Sequence, residues 1–165
     1  MKITCVLGPF FPVPPILGGA VERINLALCE EFARRGHAVT MISRTFKGFP
    51  RKEIRNNVRH FRIPSSNAPA NRVLYRLLDL LFALRVSLTF PKSDVTITNS
   101  VSLPLVLPRS RAGRIYVSVA RFPKGQMGWY KRVDRLQAVS THIQRDICIQ
   151  TPSVCHLTKT IPNCL

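Results

Sequence analysis

Apolar residues follow two rhythms along this chain. Short apolar or alternating runs are separated by longer stretches in which apolar residues recur every three or four positions. The first rhythm marks strands and the second marks helices. Lys2-Ile3-Thr4-Cys5-Val6-Leu7 reads as a short buried strand. Ala38 to Ser43, Val58 to Ile63, Asp94 to Thr98, Ile115 to Val119 and Arg135 to Val139 follow, with His156 to Thr160 as a seventh strand. Between them the helical rhythm predicts helices from about Ala20, over Arg72 to Phe90, and over Thr141 to Ile149 with Ser140 as N-cap. Ser102 to Leu107 and Gly128 to Arg132 read as short turns or helices. Such alternation predicts an α/β fold, a Rossmann-like doubly wound parallel sheet of about seven strands.

The first strand and its following loop organise the rest. Four prolines (Pro9, Pro12, Pro14, Pro15) lead to Gly18-Gly19, and a helix then opens. A strand running through glycines into a helix N-terminus suits a phosphate, because the helix end offers unpaired N–H groups and a positive dipole. The same glycines also suit a plain tight turn. Neither the G-x-G-x-x-G nor the G-x-x-x-x-G-K-[ST] fingerprint is present. The helix carries Val21, Ile24, Leu28 and Phe32 on one apolar face. Arg34, Arg35 and Gly36 mark its end. Strand, helix and strand thus form a right-handed βαβ unit.

The second long helix is apolar around much of its circumference. Arg72, Arg76 and Asp79 share one side, and leucines dominate the remainder. A helix of this kind is either deeply buried or turns its outer face to a bilayer or a partner. Arg44 to Asn57 reads as a basic loop at the C-terminal end of a strand, where open α/β sheets bind ligands, although solvated loops also look like this.

Composition sharpens the picture. The 165 residues suit one domain, and 45% apolar content is that of a globular protein. Lys and Arg number 25 against 8 acids, a net charge of +17. Nucleic acid, an anionic membrane and phosphorylated substrates are all attracted by such a chain. The five cysteines form no metal-binding spacing, and their odd number with a strand-borne Cys5 predicts free thiols in a reducing compartment. No apolar run is long enough for a transmembrane helix, and prolines interrupt the N-terminal stretch where a signal peptide needs continuity. A cytoplasmic protein is expected, able to dock at the inner face of the plasma membrane. Asp94, Glu22, His37 and His60 read as structural, Glu22 because an acid is favoured in a helix's first turn.

Several stretches together resemble one family. Pro14-Pro15-Ile16-Leu17-Gly18-Gly19-Ala20-Val21-Glu22-Arg23, Leu26 to Glu31 and Arg35-Gly36-His37-Ala38-Val39-Thr40 resemble the opening of retaining glycosyltransferases of family four. Val139-Ser140, a helix and then Ile161-Pro162-Asn163 resemble the close of their N-terminal domain. Val119-Ala120-Arg121-Phe122-Pro123-Lys124-Gly125-Gln126 is similar to a subgroup acting on cyanobacterial envelope polysaccharides. The resemblance implies a GT-B architecture of two Rossmann-like domains, of which residues 1–165 would form the acceptor-side N-terminal one. It implies transfer of a sugar, with retention and without a metal, from a UDP- or GDP-linked donor to a glycan or lipid-diphosphate-linked acceptor. No other cofactor is implied. Gly18 and Gly19 would form the donor-diphosphate loop, mobile and of low anion affinity by itself. Arg44, Asn99, Ser100, Arg121 and Lys124 would bind acceptor or anion groups.

The chain also departs from that pattern. Ala120, followed by Arg121, stands where many members have a histidine near the reacting sugar, so no catalytic residue is assigned. Cys164 replaces the last glycine of the closing signature. The chain stops at the hinge, so the donor-binding domain is expected in cis or as a partner, and the chain alone is expected to be inactive. A basic nucleic-acid-binding module is the alternative from charge, although no aromatic stacking run or recognition helix accompanies it. A non-catalytic scaffold subunit is a further alternative.

Overall fold

The computed structural model describes residues 1–163. Cys164, the altered position of the closing signature, lies outside the described residues. The elements run β1 (Lys2–Val6), α1 (Ala20–Arg34), β2 (Ala38–Arg44), β3 (Lys52–Arg55), β4 (Val58–Ile63), α2 (Arg72–Leu88) and β5 (Val95–Thr98). Then come α3 (Leu103–Val106), α4 (Arg109–Ala112), β6 (Arg114–Val119), a 3-10 turn (Gln126–Tyr130), β7 (Arg135–Ala138), α5 (Thr141–Gln150), a second 3-10 turn (Pro152–Leu157) and β8 (Thr158–Thr160). Eight strands form one sheet in the order β3-β4-β2-β1-β5-β6-β7-β8. β1 is central: Val6 lies opposite Ile42 of β2 on one side and Thr98 of β5 on the other, both parallel. From β1 the chain builds outward first toward β4 and then toward β8, so the strand order reverses between β1 and β5.

The sheet therefore has one strand more than the sequence predicts. The segment read as a basic loop contains β3, which pairs antiparallel with β4. Its residues Lys52, Glu53, Ile54 and Arg55 are mostly exposed, so no buried alternation marks it. The hairpin closes on Asn56 and Asn57, both at positive φ (50° and 60°). Paired left-handed residues make the two-residue turn that suits strand twist, and asparagine tolerates it.

Helices cover both faces of the sheet. Phe82 and Val86 of α2, Leu103 of α3, and Ile143 and Ile147 of α5 pack with Val6, Ile42, Ile115, Val117 and Leu136. On the other face Cys29 and Ala33 of α1 pack with Ile3, Cys5, Leu7, Val39 and Met41. The innermost line of α1 is Glu22, Asn25, Cys29 and Ala33 rather than the predicted Val21, Ile24, Leu28 and Phe32. The small Cys29 and Ala33 on the nearest line let the helix approach the sheet, and the larger apolar residues flank it, only partly buried. Gly36, at φ +83°, turns the chain after α1, its N–H donating to Ala33 O.

The α2 helix starts at Asn71, whose Oδ1 accepts from the N–H groups of Val73 (2.8 Å) and Leu74 (3.2 Å). Asp79 does not share a solvent face with Arg72 and Arg76: it is buried, whereas both arginines are exposed. At the other end of the chain Ser140 caps α5, its Oγ accepting from Ile143 N–H. The expectation of free thiols throughout is corrected here. Cys148 and Cys155 form a disulfide, with Cα atoms 4.7 Å apart, because the chain folds back from α5 into the second 3-10 turn. Cys5 and Cys29 are free and buried.

Candidate active site

The loops after β1, β5 and β6 leave their strands at the same edge of the sheet. A cavity of about 620 Å³ opens there. Its walls include Gly8 to Phe11 after β1, Asn99 to Val101 after β5 and Ala120 to Phe122 after β6, with the start of α1 between them. It therefore sits at the reversal of strand order, where the neighbouring connections leave on opposite faces and open a crevice.

The glycine loop reaches the cavity through Gly19, while Gly18 stands just outside its walls. Both have positive φ, +82° and +104°. At Gly19 (φ +104°) the backbone conformation favours glycine, and a Cβ there would push aside the end of the Glu22 side chain. The first half of the loop is held to the sheet by two arginines. Arg44 Nη1 donates to Phe10 O (2.7 Å), and Arg62 Nη2 donates to Val13 O (2.9 Å). The Phe10 ring meets Tyr75 of α2 with centroids 4.2 Å apart.

Of the residues singled out from sequence, Gly19, Asn99, Ser100 and Arg121 come together at the cavity. Asn99 Oδ1 is buried there without a hydrogen-bond partner. A buried acceptor without a donor is costly, so a ligand hydroxyl or N–H would gain by meeting it. Ser100 Oγ donates to Asp79 Oδ1 (3.0 Å) and accepts from Leu103 N–H, which fixes the tip of β5 rather than leaving the hydroxyl free. Arg121 is exposed at the rim. Arg44 and Lys124 do not line the cavity. Arg44 is buried and its guanidinium is spent on Phe10 O, Thr45 O and Asn67 Oδ1, so its work is to hold the loop. Lys124 is exposed on the segment beyond the rim, its backbone N–H donating to Gln126 Oε1.

Sequence reasoning missed three polar walls of this cavity. Glu22, read as a helix-dipole residue, is buried and lines it. Burial pushes its carboxyl above the ordinary value, while its own backbone N–H and the nearby Arg121 charge act in the opposite direction. Asp79 accepts from Ser100 Oγ and from Ser102 N–H (2.8 Å), joining α2 to the loop after β5. Its signal in the sequence was a lone acid in a leucine-rich helix. Tyr130, buried with its hydroxyl donating to Val101 O (3.0 Å), closes the floor. Burial raises its phenol, and Asp79 adds to the rise. Asn163, from the closing signature, also reaches the wall.

The cavity thus offers an unpaired amide oxygen, a carboxyl of raised proton affinity and a mobile-length guanidinium at the rim, beside the N-terminal end of a fifteen-residue helix. That set suits a polyhydroxyl compound carrying negative charge: hydroxyls bridge to carboxyl and amide groups, and arginine with a helix N-terminus takes the anion. Among the described residues, no group of three or more His, Cys, Asp or Glu gathers as a metal site.

Several solved structures share this architecture. Sucrose-phosphate synthase from Thermosynechococcus elongatus matches 98% of this chain with a TM-score of 0.69 at 15% identity. HepE from Anabaena, solved in complex with UDP-glucose, matches 100% with a TM-score of 0.66 at 14% identity. The lipopolysaccharide outer core galactosyltransferase WaaB matches 100% with a TM-score of 0.60 at 15% identity. The fold is that of a GT-B glycosyltransferase domain. At these identities the likeness is one of fold. The chain covers 47%, 44% and 46% of these GT-B structures, less than half of each. No family model matches the sequence, and a search of curated proteins finds no match.

Proposed function

We propose that this chain is the acceptor-side N-terminal half of a retaining, metal-independent glycosyltransferase that takes sugar from a UDP- or GDP-linked donor. The observation that carries the reading is the cavity at the strand-order reversal, with the free Asn99 Oδ1 inside it and Glu22 and Arg121 both on its wall. The GT-B fold supports it. In this reading Asn99 and Glu22 hold sugar hydroxyls. Gly19 lets the donor diphosphate approach the start of α1, and Arg121 meets its negative charge. A positively charged group at a departing phosphate stabilises the transition state where charge develops. Most donor contacts come from a second Rossmann-like domain, in cis or as a partner. The chain by itself then binds donor weakly and transfers nothing.

The test combines two assays on the purified chain. Saturation-transfer NMR with UDP-glucose and GDP-mannose is expected to give a weak signal that R121Q and N99A reduce severalfold. Incubation of either donor with sugar acceptors is expected to release no nucleotide. Undiminished signal in both variants would overturn the cavity assignment. Robust sugar transfer by the chain alone would overturn the half-enzyme reading.

A further inference from the structure

The outward face of α2 is apolar where a surface helix is normally charged. Opposite the buried line of Asp79, Phe82, Ala83 and Val86, helical geometry sets Val73, Leu77, Leu80, Leu81, Leu84 and Leu88 along the outside. All six are exposed, Val73 and Leu88 at 77% and 80%. Arg76 borders this stripe on one side, with Arg72 further round the first turn, and Arg85 borders it on the other, its Nη1 donating to Pro64 O at 2.9 Å. All three are exposed. The helix has one acid, Asp79, and that acid is turned inward and hydrogen-bonded. So α2 presents leucines fringed only by positive charge. Leaving such a stripe in water is costly, because apolar surface gains by leaving water.

We infer that α2 is a docking helix for an anionic lipid bilayer, lying in the plane of the membrane surface with its leucines among the acyl chains and its arginines at the headgroups. The commitment to lipid rests on charge. Arg72 and Arg76 are placed to meet phosphate oxygens on an anionic bilayer, and the chain's net +17 draws it to such a surface. A second copy of the chain is a poor occupant, because pairing two α2 faces brings like-charged arginines and two strongly cationic bodies together. No described helix is long and apolar enough to cross a membrane, so docking is at the surface. Tyr75 and Asp79, on the side of α2 away from the leucines, line the cavity, so docking on α2 holds the cavity one helix width, about 10–12 Å, from the bilayer surface. That is where an acceptor carried on a lipid would be met. The inference about α2 itself does not depend on the proposed sugar chemistry.

The experiment is vesicle flotation with the 165-residue chain, using phosphatidylcholine vesicles with and without about one-third phosphatidylglycerol, at roughly physiological salt. The informative variant is L77Q/L84Q/L88Q, which removes apolar surface and leaves the charge unchanged. All three positions are exposed, so the variant should fold, and circular dichroism checks this. The wild-type chain is expected to float with the anionic vesicles and the variant to bind them at least tenfold more weakly. R72Q/R76Q should also weaken binding, and raised salt should weaken the wild type. Equal binding by wild type and the leucine variant would overturn the inference, since any cationic protein adsorbs by charge alone. Failure of the wild-type chain to float would overturn it too. So would a wild-type dimer in sedimentation that the leucine variant breaks, which would make α2 a protein interface. None of these outcomes bears on donor binding, which the NMR assay reads separately.

Discussion

Glu22 stands in the first turn of α1 with a carboxyl that burial pushes above its ordinary value of 4.5. The folded chain therefore holds this proton more tightly than the unfolded chain. Stability from that source is fully present below the ordinary value and is lost as pH rises through the raised one. E22Q imitates the protonated form at every pH. It is expected to melt at a higher temperature than the wild type at pH 7, with the gap closing below about pH 4.5. Melting temperatures across a pH series check this, and a gap that widens toward acid would contradict it. Arg121 lowers the Glu22 value, so R121Q should push it further up, which carboxyl NMR titration reads. The sequence signal for Glu22 pointed to the helix dipole, and the dipole reading was incomplete rather than misplaced. The same first turn that favours an acid also forms the cavity wall, and only the fold brings Arg121 to that wall as well.

At the scale of elements, two buried arginines decide the shape of the loop after β1. Arg62 of β4 has no exposed side-chain surface. It donates to Val13 O and Pro50 O, pairs with Glu53 of β3 and lies over the Phe49 ring at 5.0 Å. Removing a buried guanidinium leaves carbonyls without donors and an acid without its partner. R62A should cost about 2–4 kcal/mol in urea unfolding. R62K should recover little of it, because an ammonium cannot reproduce the planar fork. A loss under about 0.5 kcal/mol would contradict the claim that Arg62 anchors the loop. Elements with a clear rhythm were legible from sequence: β1 is buried almost throughout, Gly36 ends α1, and Ser140 caps α5. β3 was not, because an exposed edge strand has no buried face to imprint a pattern, and only Asn56-Asn57 signalled its turn. Arg44 looked like a free cation since sequence cannot show that backbone carbonyls have claimed it. Asp79 looked like part of a polar face because its partners, Ser100 and Ser102, lie far along the chain.

At the scale of the molecule, one strand-order reversal gathers what the chain offers chemically. The glycine turn, the unpaired Asn99 oxygen, Glu22 and Arg121 belong to separate stretches of sequence, yet the parallel sheet delivers all of them to one edge. α2 lines the same cavity through Tyr75 and Asp79 and turns its leucine face the other way. This arrangement is what supports the sugar-handling role proposed for this chain. The most direct test is a residue-resolved NMR titration of the isotope-labelled chain with UDP-glucose. The expected result is a set of shift changes confined to Gly19, Ala20, Glu22, Asn99 and Arg121, with weak affinity. Changes that avoid these residues, or none at millimolar ligand, would contradict it.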